Sequence, residues 1–268
     1  MSEQSLCALW FFPLAQTTED TEFTEVSPSN VPAPCKVGII AALEREVWPL
    51  IKGGPTFRRE FDGRDFNFFE KKSVVLVCGG IGAEAARRAT EAIINLYRAE
   101  LVISAGFAGG LDPTFAVGQV VMPRYVIDAK DGSRTDCGTG DGVLISFADV
   151  ANVEQKNKLW QAYGAQLVDM EAAAVARSAE AHGVKFLAYK VISDASRSTL
   201  PPISSFVDSN GRFHSFGFIA HVALRPWLWA NVYRLASDSA IAAQRLCSAL
   251  TENFSSFSQD RDVPVLRA

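Results

Sequence analysis

The chain has 268 residues, 48% hydrophobic and 21% charged, with a formal net charge of −4. That composition is globular and excludes a disordered or fibrous chain, and the length suffices for a full core without disulfide or metal staples. The charge is unevenly placed: residues 1–35 hold Glu3, Glu19, Asp20, Glu22 and Glu25 with no Lys or Arg, which leaves the remainder at +1. Neither part has the basic surplus that a phosphate backbone requires, so nucleic acid is not an expected partner.

The five cysteines, Cys7, Cys35, Cys78, Cys137 and Cys247, are odd in number and lack C-x-x-C spacing. They argue against a disulfide framework or a zinc site and fit a reducing, cytoplasmic setting. Ala8–Ala15 is short and apolar but has no basic residues before it, so secretion is not expected. No run has the length of a membrane span.

Regular structure is expected from Lys36 onward. Lys36–Ala42 (KVGIIAA) reads as a buried strand, and Leu43–Ile51 as a helix or turn interrupted by Pro49. Phe57–Glu70, broken by Asp62-Gly63, reads as a hairpin. Ser73–Cys78 is a strand that runs through Gly79-Gly80-Ile81-Gly82 into a helix ending near Tyr97. Leu101–Ala105 is a buried strand and Gly106–Gly110 a small-residue loop. Val117–Ile127 reads as one strand with a bend at Pro123, and residues 128–142 as a loop. A short strand at Val143–Phe147, a helix at Val153–Tyr163, a brief strand at Gln166–Val168 and a helix at Glu171–Ala181 follow. Val184–Ser193 (VKFLAYKVIS) is a long buried strand that ends at Asp194. A loop leads to a last helix from about Pro226, where Leu228, Val232, Leu235, Ala242, Leu246 and Leu250 form a stripe that Ser239 interrupts. Strands alternating with helices predict an α/β layered domain.

Three features could carry chemistry. Gly80-x-Gly82-x-x-Ala85 after a strand resembles a dinucleotide fingerprint, but the next strand ends in Ser104-Ala105, without the ribose-binding acid, and tight strand-to-helix packing explains the glycines by itself. Gly106–Gly110 would let a ligand approach the backbone, or simply supply a turn. Glu46, Glu171 and Asp194 follow strands or open helices, where α/β sites collect. Each also has a structural role available: Glu46 as a first-turn acid, Asp169 and Glu171 as helix caps, Asp194 as an N-cap.

The order of these blocks carries a resemblance. Lys36–Ile51 (KVGIIAALEREVWPLI), Cys78–Ala86 (CGGIGAEAA), Ile103–Gly118 (ISAGFAGGLDPTFAVG), Val168–Ala174 (VDMEAAA) and Val191–Asp194 (VISD) resemble the purine nucleoside phosphorylase and nucleosidase superfamily, near its methylthioadenosine/S-adenosylhomocysteine nucleosidase branch. Val207–Arg212 (VDSNGR), Arg225-Pro226 and the closing helix look like the hopanoid-associated phosphorylase branch. The resemblance implies a three-layer α/β/α phosphorylase/hydrolase-like fold around a central mixed β-sheet. It divides the chain into an N-terminal extension (1–35), a nucleoside phosphorylase-like domain (36–255) and a C-terminal tail (256–268).

The implied activity is cleavage of the N-glycosidic bond of a purine nucleoside or 5′-substituted adenosine, by phosphorolysis or hydrolysis. Matched position by position, Asp194 is the proton donor to purine N7 and Glu46 the carboxylate that activates water. Glu171 binds ribose hydroxyls, Met170 lies beneath the sugar, and Gly79, Gly80, Ala105, Gly106 and Phe107 belong to the loops around ribose, base and nucleophile. The sequence also departs from the pattern: Gly79 stands where the nucleosidases have Ser, and Val150 lies in the segment Ala148–Asn152, where an aromatic residue stacks on adenine. The Gly-Asp-Pro-x-x-Arg phosphate loop is replaced by Leu43-Glu44-Arg45-Glu46, which leaves Arg45 and Arg197 as phosphate candidates. The lost Ser and aromatic keep open a non-catalytic nucleoside-binding protein on the same fold. The expected partners are a small nucleoside and further copies of the chain, with no cofactor or metal and phosphate only as a co-substrate. Phe213–Trp229 is aromatic-rich and is expected to pack as core or oligomer interface, with membrane contact only for a lipid-bearing substrate.

Overall fold

The computed structural model describes residues 35–257 apart from 202, 209 and 210. The N-terminal extension, Cys7 and the tail beyond residue 257 lie outside the described residues. Eleven strands and six helices follow one another in the described chain. They are β1 (Val37–Ala41), α1 (Glu44–Ile51), β2 (Thr56–Phe61), β3 (Arg64–Lys71), β4 (Val74–Cys78), α2 (Ala83–Tyr97), β5 (Leu101–Gly110), β6 (Val120–Val121), β7 (Tyr125–Asp128) and β8 (Arg134–Asp136). They continue with β9 (Val143–Ser146), α3 (Val153–Tyr163), β10 (Leu167–Asp169), α4 (Ala172–Ala181), β11 (Lys185–Asp194), α5 (Ser215–Ala223) and α6 (Trp229–Phe257).

The strands form one mixed sheet in the order β2-β3-β4-β1-β5-β10-β9-β7-β8, with β11 pairing β5 and β6. Helices cover both faces, so the α/β/α sandwich with a mixed central sheet is present. Burial decides the layers. Ala89, Ile93 and Tyr97 of α2 and Val175 and Ala179 of α4 share one apolar cluster with the sheet. Val47 and Ile51 of α1 and Ala242, Leu246 and Leu250 of α6 share the other. The β2–β3 hairpin turns at Asp62 and Gly63, both at positive φ, as a two-residue hairpin that follows the strand twist requires.

Strand β5 organises the rest. Its first four residues pair in parallel with β1, and Gly109 and Gly110 pair antiparallel with β10. Strand β11 runs alongside from Leu101 to Gly109. The Gly106–Gly110 segment, expected as a loop, is therefore the second half of a ten-residue strand. Its glycines have poor strand propensity, but neighbours on both sides supply the ladder that propensity does not.

Other expectations are corrected as well. Val117–Ile127 is two short strands, because β6 pairs with β11 while β7 pairs with β8 and β9. The 128–142 loop contains β8. Helix α1 continues through Pro49 to Ile51. Within Phe213–Trp229, Phe218 is buried, and Phe213 and Phe206 pack against it. Phe216 (86% exposed), Leu224 and Trp227 (71%) face outward rather than packing as core.

Gly79 shows how closely α2 is drawn to the sheet. A Cβ placed there would lie 2.7 Å from the Ala89 Cβ and 3.0 Å from the Ala85 carbonyl oxygen. The serine that the resemblance leads one to expect has no room. Gly79→Ser is expected to destabilise the fold by about 1–3 kcal/mol through overpacking, read as a lowered urea midpoint. An unchanged midpoint would show that α2 can shift freely.

Candidate active site

A cavity of about 390 Å³ opens at the ends of β1, β5, β10 and β11. Its wall includes Arg45 and Glu46 from α1, Phe107 and Gly109 from β5, Asp169 at the end of β10 with Met170 and Glu171 after it, and Ser193 and Asp194 from β11. Residues 148–151, Lys156 of α3, Ile203, Ser204 and Val207 close one side, with Leu235 and Ser239 of α6. Ser239, which interrupts the apolar stripe of α6, turns its polar position to this space.

The acidic end of the cavity is built around Lys190. Its side chain is 2% exposed, and its Nζ lies 2.8 Å from Asp169 Oδ2 and donates to Ser104 Oγ at 3.0 Å. Burial pulls the ammonium pKa down, but Asp169, Glu171 and Glu46 outweigh that and hold it above its ordinary value. Asp169 is fixed on every side. It also accepts from Ser146 Oγ at 2.6 Å and from the Ala172 amide at 2.9 Å, so it does cap α4. Glu171 accepts from the Gly82 amide at 2.8 Å and the Met170 amide at 3.2 Å. Burial and the Asp169 charge push its carboxyl up to about 7, while Lys190 and the Gly82 amide pull it down. Burial likewise raises Glu46, against the pull of Arg45 and Lys190, and its Oε2 accepts from the Ala42 amide at 3.3 Å.

Asp194 stands on a bulge at the end of β11 and leads into a turn, so it caps no helix. Its Oδ1 accepts from Ser193 Oγ at 2.8 Å. Its Oδ2 is ion-paired with Lys156 Nζ, which also donates to the Ala195 carbonyl at 2.8 Å.

The cavity thus brings together Arg45, Glu46, Phe107, Val150, Met170, Glu171 and Asp194 of the expected site residues. Gly79, Gly80, Ala105 and Gly106 do not line it. The amides of Gly79 and Gly80 donate to the Ala41 and Ala42 carbonyls, prolonging the β1–β4 pairing past its end. The Ile81 amide donates to Gly211 O, and Gly82 serves Glu171. None of these four donors is available to an anion, as a dinucleotide fingerprint would require. Ala105 packs into the core below α1 and α6. Gly106 acts by what it lacks: a Cβ there would lie 2.8 Å from Glu46 Oε2. Arg197 is exposed and outside the cavity, which corrects its candidacy for phosphate, whereas Arg45 is desolvated, with its Cζ 5.7 Å from the Phe213 ring centroid. Among the described residues lining the cavity, Phe107 is the one aromatic side chain. Among the described residues, no cluster of three His, Cys, Asp or Glu side chains is arranged to hold a metal, and no helix is long and apolar enough to cross a membrane.

Sequence reasoning missed Lys156, Lys190, Ser104, Ser146 and Ser193. Lys190 left a trace, as the cation inside the otherwise apolar stretch FLAYKVI. Lys156 left none, because its segment VEQKNK reads as a solvated helix face.

Residues 36–153 and 148–212 match the sequence family described as the phosphorylase superfamily. A 5′-methylthioadenosine/S-adenosylhomocysteine nucleosidase of Exiguobacterium sp. is 28% identical over 199 residues, covering 60% of this chain and 85% of that protein. One from Staphylococcus aureus is 27% identical over 197 residues, covering 59% and 86%. Among solved structures, a 5′-methylthioadenosine nucleosidase of Arabidopsis thaliana superposes with a TM-score of 0.65 at 16% identity, over 86% of this chain and 98% of that one. A futalosine hydrolase of Helicobacter pylori superposes with a TM-score of 0.58 at 18% identity, over 83% and 98%. The two superpositions show a shared fold.

The raised Glu171 carboxyl has a consequence for stability. Between its ordinary value of 4.5 and about 7 the folded state holds a proton that the unfolded state has released. Stability from this residue is therefore present at low pH and lost as pH rises through that window. Urea midpoints measured from pH 4.5 to 7.5 are expected to fall less steeply in Glu171→Gln than in the wild type. An identical slope in both proteins contradicts the assignment.

Proposed function

The chain belongs to the phosphorylase superfamily, and from that premise we propose that it hydrolyses the N-glycosidic bond of a purine nucleoside or 5′-substituted adenosine to release the free base. The similar curated proteins named above are nucleosidases of this kind. The charge of the cavity carries the choice of water as nucleophile. Five acids line it (Glu46, Asp149, Asp169, Glu171 and Asp194); Lys156 and Lys190 are already paired with Asp194 and Asp169, which leaves Arg45 against Glu46, Asp149 and Glu171. A phosphate dianion entering such a space meets mostly like charge, and a water molecule does not.

Cleavage develops positive charge on the sugar at C1′ and negative charge on the departing purine, and the site helps where it meets those charges. Glu171, oriented by the Gly82 and Met170 amides, accepts hydrogen bonds from the ribose hydroxyls. Met170 supplies an apolar surface beneath the sugar. Glu46 takes a proton from water as the water oxygen bonds to C1′, and burial makes this carboxylate a stronger base than a solvated one. The C1′–N9 bond breaks with its electron pair passing to the base, and Asp194 hands a proton to N7. Val150, Ala148 and Phe107 offer the base an apolar wall in place of the stacking aromatic.

One observation favours phosphorolysis as a second reading. Arg45 is held in the cavity wall, desolvated, where a cation would meet an entering anion.

Incubation with adenosine and 5′-methylthioadenosine, with and without phosphate, separates the readings. Free adenine is expected at the same rate in both buffers, with the reducing sugar as co-product. Asp194→Asn is expected to lower kcat by about 10²–10⁴-fold. Phosphate-dependent formation of ribose 1-phosphate installs the second reading. Tight nucleoside binding with no base released under any condition leaves a binding protein and sinks both.

A further inference from the structure

Asp194 is held in a way that raises a question about its proton. Its Oδ1 accepts from Ser193 Oγ, and its Oδ2 accepts from Lys156 Nζ. A carboxyl group with donors on both oxygens is bonded as the acceptor-only carboxylate. Of the two protons directed at it, the one an acid can give up is on the ammonium of Lys156, whose side chain is 2% exposed and whose other named partner is the Ala195 carbonyl. The cleft is shaped around this pair. Gly109 lies beneath it, and a Cβ there would stand 3.2 Å from Asp194 Oδ2 and 3.3 Å from Lys156 Cε.

We propose that Lys156 is the proton reserve of the reaction, acting through Asp194: the proton that the departing base receives originates on the Lys156 ammonium and crosses the buried Lys156–Asp194 hydrogen bond. This rests on the glycosidic-cleavage reading. In water, the ion pair is far more stable than the neutral amine and acid. Burial removes the solvation of both charges and narrows that gap, because the pair without charges loses far less on leaving water. Negative charge growing on the purine then draws the proton across. The Nζ–H bond breaks as the Asp194 O–H bond forms, the acid passes the proton to the base, and Asp194 ends as the carboxylate it began as. Lys156 ends as a neutral amine. Water has meanwhile given a proton to Glu46 and its oxygen to C1′. Release of one proton from Glu46 to solvent and uptake of one by Lys156 restore the starting state.

A merely structural lysine and a proton-supplying one respond differently to arginine. Lys156→Arg keeps a cation against Asp194, which protects the fold, but a guanidinium does not give up its proton. The two also respond differently to the leaving group, because 4-nitrophenolate departs without protonation. For the wild-type protein, Lys156→Arg and Lys156→Met, kcat and KM are measured at pH 7 with adenosine and with 4-nitrophenyl β-D-riboside. Both variants are expected to lose at least tenfold in kcat on adenosine, with KM within about twofold, and to cleave the nitrophenyl riboside within about twofold of the wild-type rate. Adenosine turnover by Lys156→Arg at the wild-type rate overturns the proposal. So does an equal loss on both substrates in that variant, which marks a positional role. A wild-type protein that releases no base from any nucleoside overturns the functional reading itself, and the proposal with it.

Discussion

The buried ammonium of Lys190 is the constraint on which the site depends. Asp169, Glu171 and Glu46 all lie within its field, at the bottom of one cavity and largely out of water. Three ionised carboxylates so placed would repel one another and lose their solvation together. One cation, 2.8 Å from Asp169, offsets part of that. What it does not offset appears as the raised pKa values of Glu46 and Glu171. The same balance that makes the group costly to bury makes both carboxylates hold protons more tightly than in water, and brings Glu171 to about 7.

The sheet makes this arrangement possible by letting β5 serve two partners along one edge. Its start pairs with β1, and its end turns to β10 with the opposite sense. Glu46, arriving from β1, and Asp169, arriving from β10, are thereby brought to the same stretch of β5, where Gly106 leaves space for a carboxylate. Strand β11 lies along the opposite edge and contributes both Lys190 and, one bulge later, Asp194. The glycines of β5 are thus places where side chains from neighbouring strands meet, and a loop would not have held them in register.

Much of this is legible in the chain. Runs such as KVGIIAA and SVVLVC announce buried parallel strands because both faces of such a strand are covered and the apolar residues need not alternate. Asp62-Gly63 announces its hairpin because two consecutive positive φ values suit few other pairs. Glu46, Glu171 and Asp194 stand out because they interrupt or end apolar segments. The limits are equally physical. Gly106–Gly110 has the composition of a turn and becomes a strand only because β10 and β11 flank it. Ser215–Ala223 lies within a segment read as loop and folds as α5, with Phe218 its one fully buried residue.

The order of apolar strands, the small residues at their ends and the three acids that follow them were determined by the sequence alone, because burial and backbone geometry are written in local patterns. The fate of each cation was decided only by the tertiary structure. Arg45 and Arg197 look alike on the page, yet one is drawn into the cavity wall and the other is left in solvent. Lys156 sits among polar neighbours on α3, and its side chain is buried where it reaches Gly109 of β5 and Asp194 of β11. A lysine's charge state and partners depend on what surrounds it in space, and along the chain Asp194 is 38 residues away from it.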